Sequence, residues 1–490
     1  MIADRTAVDR AMTDIATVIR HHAMCSPEDV ALEFDGSHIC WREFVAGIDA
    51  LAQRFAGMVL EDRIAFSLPN EVLFVQAMFA AVKAGKCFQV LDPEWPDQTV
   101  NDVVTTLQPN TLINESNLDL LVQDVCSARV DPKVWPQVNV CAPFYTGFTS
   151  GSTGMPKGFR RDQKSWLESF RRDGEIFNLS REDVFVSLGS LAHSLFVYAV
   201  FRGLYAGAKT IFYRRFRPDR IIQSIARSGG TVIYGVPTQF DALIAAAHGG
   251  LELSSVRLVL TSGAKLPTAL HSSLNRLFPK AAVCEFYGTS EQSYITFARD
   301  NDSPLGSVGR PFPGVDIRIL DDSGNMLPAG SAGRVFVDSP LLFDGYELAD
   351  NPTMEWCGDA LFVGDVGYLD EDGFLYLAGR ADRMIVCSGK NIYPEEIEAV
   401  LAAHPAVSRA CVIGVSDSRR GQRPVALLQI APELSCSMRE IKSWCREQLP
   451  LYKIPSQIYE IDEWPMTVSQ KTDVPRLTEL LRLNGLWELR

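Results

Sequence analysis

Two spacings of apolar positions alternate along the first 110 or so residues. Stretches such as Trp41–Met58 carry the three-and-four spacing of a helix face, and short apolar runs such as Arg63–Leu68 read as buried strands. The same alternation continues from 181 to 287. There Asp183–Leu188, Lys209–Tyr213, Thr231–Tyr234, Arg257–Thr261 and Ala282–Phe286 are predicted strands between helical segments, the mark of a doubly wound sheet. After Gly306 the pattern turns to hairpins: Val315–Leu320, the turn Asp321–Gly324 and Gly333–Val337, then Gly367–Leu377 around Asp370–Gly373. The last hundred or so residues read as a small α+β unit. Pro394 opens a helix with Glu395 and Glu396 in its first turn and Ile397, Val400 and Leu401 on its apolar face. Strands at Ala410–Val415, Val425–Ile430 and Gln457–Ile461 and a helix near Met438–Gln448 complete it. The fold class is therefore α/β: a large N-terminal domain over 1–380, of layered α/β sheets plus a β-rich subdomain, and a small α+β C-terminal domain over 381–490.

Composition narrows the function classes. The chain has 490 residues, 47% hydrophobic and 22% charged, enough for a large core. Asp and Glu number 60 against 47 Lys and Arg, and a net charge of −13 argues against a nucleic-acid partner. The longest apolar run, Leu73–Val82, is interrupted by Gln76 and falls far short of the ~20 residues of a membrane span, so no integral membrane association is expected. Asp4, Arg5, Asp9 and Arg10 are followed by no apolar stretch, which predicts no secretory signal and a cytoplasmic protein. The 11 cysteines stand singly with no Cys-x-x-Cys, and the seven histidines are dispersed apart from His21–His22, so any metal is expected on oxygen ligands.

The strongest chemical signal is Tyr145–Gly158, a strand end followed by a loop dense in glycine and hydroxyls and closed by Lys157. Small residues let backbone N–H groups approach phosphate oxygens, hydroxyls donate further bonds and the lysine adds charge. It is not the loop of a P-loop ATPase or kinase, because Met155 and Pro156 separate Gly154 from Lys157 and no Gly-Lys-Ser/Thr opens a helix.

Thr149-Ser-Gly-Ser-Thr-Gly-Met-Pro-Lys-Gly158 resembles the phosphate loop of the adenylate-forming superfamily, which includes acyl-CoA synthetases, adenylation domains of nonribosomal peptide synthetases and firefly luciferase. Further segments agree in order, from about residue 30 to 478. The resemblance implies that Thr149, Ser150, Gly151, Ser152, Thr153, Gly154 and Lys157 bind the phosphates of ATP. Tyr287-Gly-Thr-Ser-Glu291 is similar to Tyr-Gly-x-Thr-Glu, which implies Tyr287 stacked on adenine, Gly288, Thr289 and Ser290 at the nucleotide with a hydroxyl at the α-phosphate, and Glu291 holding Mg²⁺. Standing alone, this pentapeptide reads as a strand-to-helix turn. Gly263 and Ala264 resemble the adenine-contacting turn, and Glu285 stands where many members have Asn or Gln. Asp365 and Arg380 resemble the ribose-binding pair, and Asp382 the hinge about which a mobile C-terminal domain rotates. Ser388, Gly389 and Lys390 open the segment that lines the thiol tunnel. Pro465-Met-Thr-Val-Ser-Gln-Lys471 resembles Pro-x-Thr-x-x-Gly-Lys, which makes Lys471 a catalytic residue with Glu291, Thr149 and Lys157; Gln470 replaces the usual glycine.

The segment Ser190–Tyr198 contains no acidic residue to pair a substrate ammonium. His193 resembles the histidine at the acid pocket of acyl- and aryl-CoA synthetases, and Leu195, Phe196, Tyr198, Val236 and Pro237 are expected to form an apolar wall. The expected activity is adenylation of a fatty or aryl carboxylic acid by ATP and Mg²⁺ and transfer to coenzyme A. The alternatives are transfer to the phosphopantetheine of a carrier protein, with Arg214, Arg215 and Arg217 as a docking patch, and nucleotide binding without turnover.

Overall fold

The computed structural model describes residues 14–57, 63–109, 111–118, 138–149, 155–247, 250–300, 302–348, 354–432, 434–466, 472–483 and 487–488. The chain divides into two compact units, Met1–Val315 with Ser339–Asp350, and Asp316–Asp338 with Asn351–Arg490.

In the first unit the short apolar runs become the middle of a nine-stranded sheet. Its order is Arg310–Pro311, Ser293–Arg299, Ala282–Thr289, Leu258–Thr261, Val232–Gly235, Val184–Ser187, Lys209–Phe212, Val30–Phe34 and Ser37–Cys40. The strands from Ala282–Thr289 to Val30–Phe34 run parallel, with antiparallel strands at both edges. Val232–Gly235 and Leu258–Thr261 are buried at every position, which is why they read as unbroken apolar runs. Helices Ser194–Tyr205, Pro218–Ser228, Pro237–Ala246 and Thr268–Leu277 lie between strands in the chain, two of them opening on proline, whose fixed φ suits a first turn. Val186, Phe196, Ile225, Phe240, Val259 and Leu274 meet in one core, each buried side chain contributing about 1.5–3 kcal/mol.

A second, six-stranded sheet has the order Gly345–Leu348, Lys157–Asp162, Pro143–Thr149, Cys87–Val90, Arg63–Ser67 and Leu112–Asn114. The apolar run at Leu73–Val82 is the helix Val72–Lys83, buried along most of its length. Its Phe79 stacks on Phe201 of helix Ser194–Tyr205 with ring centroids 4.1 Å apart, fastening the two helices together.

The second unit holds two more sheets. In the first, Asp316–Leu320 pairs with Gly333–Asp338, but not through the expected tight turn. Asp321 accepts from the N–H groups of Ser323 and Asn325, closing a local Asx turn, and the chain travels on through 327–332 before pairing. The other sheet carries Ile385–Cys387, Lys390–Ile392, Val407–Asp417, Gly421–Ile430, Gln457–Glu460 and Trp487–Glu488. Helix Met438–Gln448 starts on a capping box between Ser437 and Glu440, as the sequence expectation placed it. Among the described residues no helix is long and apolar enough to cross a membrane.

Candidate active site

The glycine-rich loop joins two antiparallel strands. Thr149 ends Pro143–Thr149, Lys157 begins Lys157–Asp162, and the two residues are register partners. The loop is thus fastened at its base by a strand pair, where a P-loop would open into a helix. Ser150, Gly151, Ser152, Thr153 and Gly154 lie outside the described residues. Arg161, on the return strand and 2% exposed, donates from Nη1 to the carbonyl of Ser290 (3.2 Å) and from Nη2 to that of Leu341 (2.7 Å). Burial draws its guanidinium down to about 10, so it stays charged at neutral pH.

Tyr287, Gly288 and Thr289 lie on the strand Ala282–Thr289, which turns at 290–292 and returns as Ser293–Arg299. The pentapeptide is therefore a strand-to-strand hairpin and not a strand-to-helix turn: Thr289 Oγ1 accepts from the Gln292 N–H at 3.1 Å and steers the chain back. The ladder shifts register between Tyr287 and Gly288, and a Cβ on Gly288 would stand 2.0 Å from the Ser293 carbonyl oxygen, so only glycine fits. Glu291 is 9% exposed. Its Oε1 accepts from the Tyr346 hydroxyl at 2.5 Å, and its backbone carbonyl accepts from the Phe343 N–H at 2.8 Å. Among the described residues Oε2 takes no hydrogen bond, which leaves one carboxylate oxygen for a cation. No three His, Cys, Asp or Glu side chains form a metal-binding group among the described residues. A single carboxylate oxygen suits Mg²⁺, which keeps several waters and takes its other ligands from phosphate oxygens.

Gly263 follows the strand Leu258–Thr261 with φ +88°, a conformation glycine adopts without cost, and Ala264 beside it is exposed. Glu285 lies opposite Thr261, and Lys265 Nζ donates to its carboxylate at 3.0 Å and to the Ser307 carbonyl at 2.7 Å. The charge that replaces the amide of the resembling proteins is thus paired within the protein.

His193 precedes helix Ser194–Tyr205 and is half-buried. Phe196, 4% exposed, lies over Gly189, where a Cβ would stand 2.0 Å from its ring. Val236 packs against the same cluster, Pro237 follows it buried at the start of its helix, and Val236 Cγ1 is 3.5 Å from where a Cβ on Gly263 would be. The structure therefore brings Phe196 and Val236 together, with Gly263 next to Val236. Tyr198 departs from the expected wall. Two residues on from Phe196, it faces the other side of the helix, and its hydroxyl donates to Asp173 (2.7 Å) within a buried network with Ser169 (2.8 Å) and Arg202.

In the second unit Asp365 and Arg380 are register partners on antiparallel strands. Arg380 Nη1 lies 3.3 Å from Asp365 Oδ1, and its Nε 3.3 Å from Asp382 Oδ1, so one guanidinium serves both carboxylates. Ser388 (φ +52°) and Gly389 (φ +74°) form the two-residue turn between Ile385–Cys387 and Lys390–Ile392, with both residues left-handed as a type I′ hairpin needs. Lys390 Nζ sits 4.3 Å from the centre of the Tyr452 ring. Gln470 and Lys471 lie outside the described residues.

Arg161, Tyr346 and Lys265 escaped the sequence reading. Arg161 had one faint signal, a charge inside an apolar strand, whereas nothing local marks Tyr346 or Lys265 as partners of Glu291 and Glu285.

The sequence matches the AMP-binding enzyme family over residues 19–347 and the AMP-binding enzyme C-terminal domain over 396–471. The chain belongs to this family, and with it to the adenylate-forming superfamily. It is 35% identical over 480 residues to the uncharacterized acyl–CoA ligase YhfT of Bacillus subtilis (strain 168), with 94% of this chain and 96% of that protein covered. It is 28% identical over 491 residues to the 2-succinylbenzoate–CoA ligase of Bacillus velezensis, covering 96% and 99%. Among solved structures, o-succinylbenzoate CoA synthetase (MenE) from Bacillus subtilis with its acyl-adenylate intermediate OSB-AMP superposes with a TM-score of 0.84 at 26% identity, covering 94% and 97%. ATP-bound MatB from Rhodopseudomonas palustris gives 0.86 at 23% identity, covering 96% and 99%, a likeness of fold.

Proposed function

We propose that this chain is an AMP-forming acid–CoA ligase acting on a fatty or aryl carboxylic acid. The observation that carries the reading is the buried Glu291 carboxylate, fixed by Tyr346 through one oxygen, in a chain that spans nearly the full length of relatives named as CoA ligases. MenE from Bacillus subtilis has been solved in complex with ATP and magnesium ion at 25% identity, which supports ATP and Mg²⁺ as the reactants here.

In the first step a carboxylate oxygen of the acid attacks the α-phosphorus of ATP, the bond from that phosphorus to the bridging oxygen breaks, and pyrophosphate leaves. The loop from Thr149 through Ser150, Gly151, Ser152, Thr153 and Gly154 to Lys157 holds the phosphates. Tyr287, Gly263, Ala264 and Glu285 hold the adenine, Gly288, Thr289 and Ser290 the α-phosphate side, and Asp365 with Arg380 the ribose. Glu291 holds Mg²⁺, which offsets phosphate charge when bound. Lys471 supplies a cation where negative charge develops between carboxylate and phosphate. In the second step the CoA thiolate attacks the acyl carbon, the bond to the AMP oxygen breaks, and AMP leaves. Asp382 as hinge and Ser388, Gly389 and Lys390 as the thiol passage belong to this proposal. His193, Phe196, Val236 and Pro237 line the acid's apolar end, and the absence of an acidic residue in Ser190–Tyr198 favours a non-amino acid.

Pyrophosphate release from ATP and Mg²⁺, measured across fatty, aryl and amino acids with and without CoA, tests the reading. Release with a fatty or aryl acid and formation of its CoA thioester are expected. Release with amino acids alone overturns the acid class, and release with no thioester from CoA makes a carrier protein the acceptor. ATP binding with no release across the panel leaves a nucleotide-binding protein without turnover.

A further inference from the structure

The parallel strands Val184–Ser187 and Val232–Gly235 are neighbours in the nine-stranded sheet, and the chain leaves them in opposite directions. From the first it continues through helix Ser194–Tyr205 to Lys209–Phe212 on one side, and from the second through helix Pro237–Ala246 to Leu258–Thr261 on the other. A crevice opens at the carboxyl ends of such a pair, where doubly wound sheets take their ligands. Its two sides are the segment 188–193 leading into Phe196 and the segment at Val236 and Pro237, which carry the residues proposed to hold the acid.

The hydrogen-bond ladder between these strands does not simply stop. The Leu188 N–H still donates to the Tyr234 carbonyl at 3.2 Å. The next bond of a parallel ladder runs from the Val236 N–H to the Leu188 carbonyl. Here the Gln239 side chain stands in for it: Oε1 accepts from the Val236 N–H at 3.1 Å, and Nε2 donates to the Leu188 carbonyl at 3.2 Å. An amide group is thus inserted where the two main chains would otherwise meet, and it holds them apart with both polar groups satisfied. On the far side of the same segment Asn70, 5% exposed, is bonded in a matching way. Its Nδ2 donates to the carbonyls of Gly189 (2.9 Å) and Tyr213 (2.8 Å), and its Oδ1 accepts from the Leu191 N–H (2.8 Å). Tyr213 follows Lys209–Phe212, the strand that flanks Val184–Ser187 on that side. The wall segment is therefore moored by one side-chain amide on each side, and the Phe196 ring lies on its Gly189.

We propose that Gln239 is a positioning residue that sets the width of the acid's crevice by spacing the Leu188 wall from the Val236 wall. The inference rests on the reading of these walls as the acid site. A helix cap alone makes a different demand on this side chain. As the third residue of helix Pro237–Ala246, Gln239 satisfies the Val236 N–H, a bond that glutamate makes equally well, whereas the bond to the Leu188 carbonyl needs the amide N–H.

The test is steady-state pyrophosphate release by wild type, Gln239→Ala and Gln239→Glu, with straight-chain fatty acids and with branched and aryl acids of increasing width, alongside urea unfolding. Gln239→Ala lets the Val236 N–H close on the Leu188 carbonyl. It is expected to raise the KM for the widest acid that the wild type accepts about fivefold or more over any rise for the narrowest, with the KM for ATP within about twofold. Gln239→Glu keeps the cap and unlinks the walls. It is expected to unfold near the wild-type urea midpoint and to raise the KM for each accepted acid about threefold or more. Acid KM values that Gln239→Glu leaves at the wild-type level, or a KM for ATP that rises as far as those for the acids, overturn the inference while acid-dependent release stands. Should Gln239→Ala fail to fold, Gln239→Glu decides alone. No release by the wild type with any acid of either series rejects the proposed adenylation, and the inference falls with it.

Discussion

The Tyr346 hydroxyl donates to the Glu291 carboxylate across 2.5 Å, joining residues 55 apart in sequence. The tyrosine is itself held firmly. Its strand Gly345–Leu348 pairs with Lys157–Asp162, the strand returning from the glycine-rich loop. The neighbouring Glu347, with a side chain 5% exposed, accepts from Thr146 at 2.8 Å and Gln89 at 3.1 Å and pairs with Arg63 at 2.8 Å. The strand that braces the loop therefore also aims the carboxylate. Tyr346→Phe is expected to raise the Mg²⁺ concentration needed for half-maximal pyrophosphate release by about tenfold or more, the worth of one hydrogen bond to a charged group. Glu291→Gln, which removes the charge, is expected to lower the rate about a hundredfold. An unchanged Mg²⁺ titration in Tyr346→Phe refutes the positioning role.

Arg161 joins the return strand to the same hairpin through the carbonyls of Ser290 and Leu341. Arg161→Met leaves buried acceptors without donors, and a loss of about 3 kcal/mol in urea unfolding is expected. Arg161→Lys keeps the charge without the fork and is expected to fall between the two. Equal stability of Arg161→Met and wild type contradicts this.

Asp365 shares Arg380 with Asp382. As the ribose contact, its replacement by alanine is expected to raise the KM for ATP about tenfold while the KM for the acid stays within about twofold. Steady-state kinetics in each substrate decide it, and an equal rise in both constants removes the ribose assignment.

Glu33 is fully buried on the strand Val30–Phe34. Burial alone would raise its pKa, but Lys209 at 2.9 Å, Ser228 at 2.8 Å and His38 at 3.1 Å outweigh it and hold the carboxyl down at about 2. A folded value below the ordinary 4.5 means stability that is fully present above about pH 4.5 and lost as pH falls through about 2. Glu33→Gln is expected to cost about 2–3 kcal/mol at pH 7, with the gap to wild type closing between those limits. A gap that stays constant from pH 7 to pH 3 contradicts the account.

Elements were legible where local rules agree. The helix Met438–Gln448 follows from its capping box and amphipathic face, and Val232–Gly235 from an apolar run too short for a helix. The placing of Tyr198 failed because an apolar stretch was taken as one wall, although side chains two apart on a helix point nearly opposite ways. The Asp321–Gly324 turn was real, but its side-chain bonds close a local loop and leave the strand pairing to residues further on. The candidate site was legible in its motifs and illegible in its supports. Tyr346 and Lys265 act only across tertiary contacts, 55 and 20 residues from their partners, and no local spacing encodes those.

The central claim is that the chain activates a carboxylic acid as its adenylate. Acid-dependent exchange of labelled pyrophosphate into ATP, by wild type and by Lys471→Ala, tests it most directly. The account predicts exchange with a fatty or aryl acid in the wild type and a loss of about a hundredfold or more in Lys471→Ala, with ATP binding retained. Exchange that no acid stimulates, or that Lys471→Ala leaves intact, contradicts it.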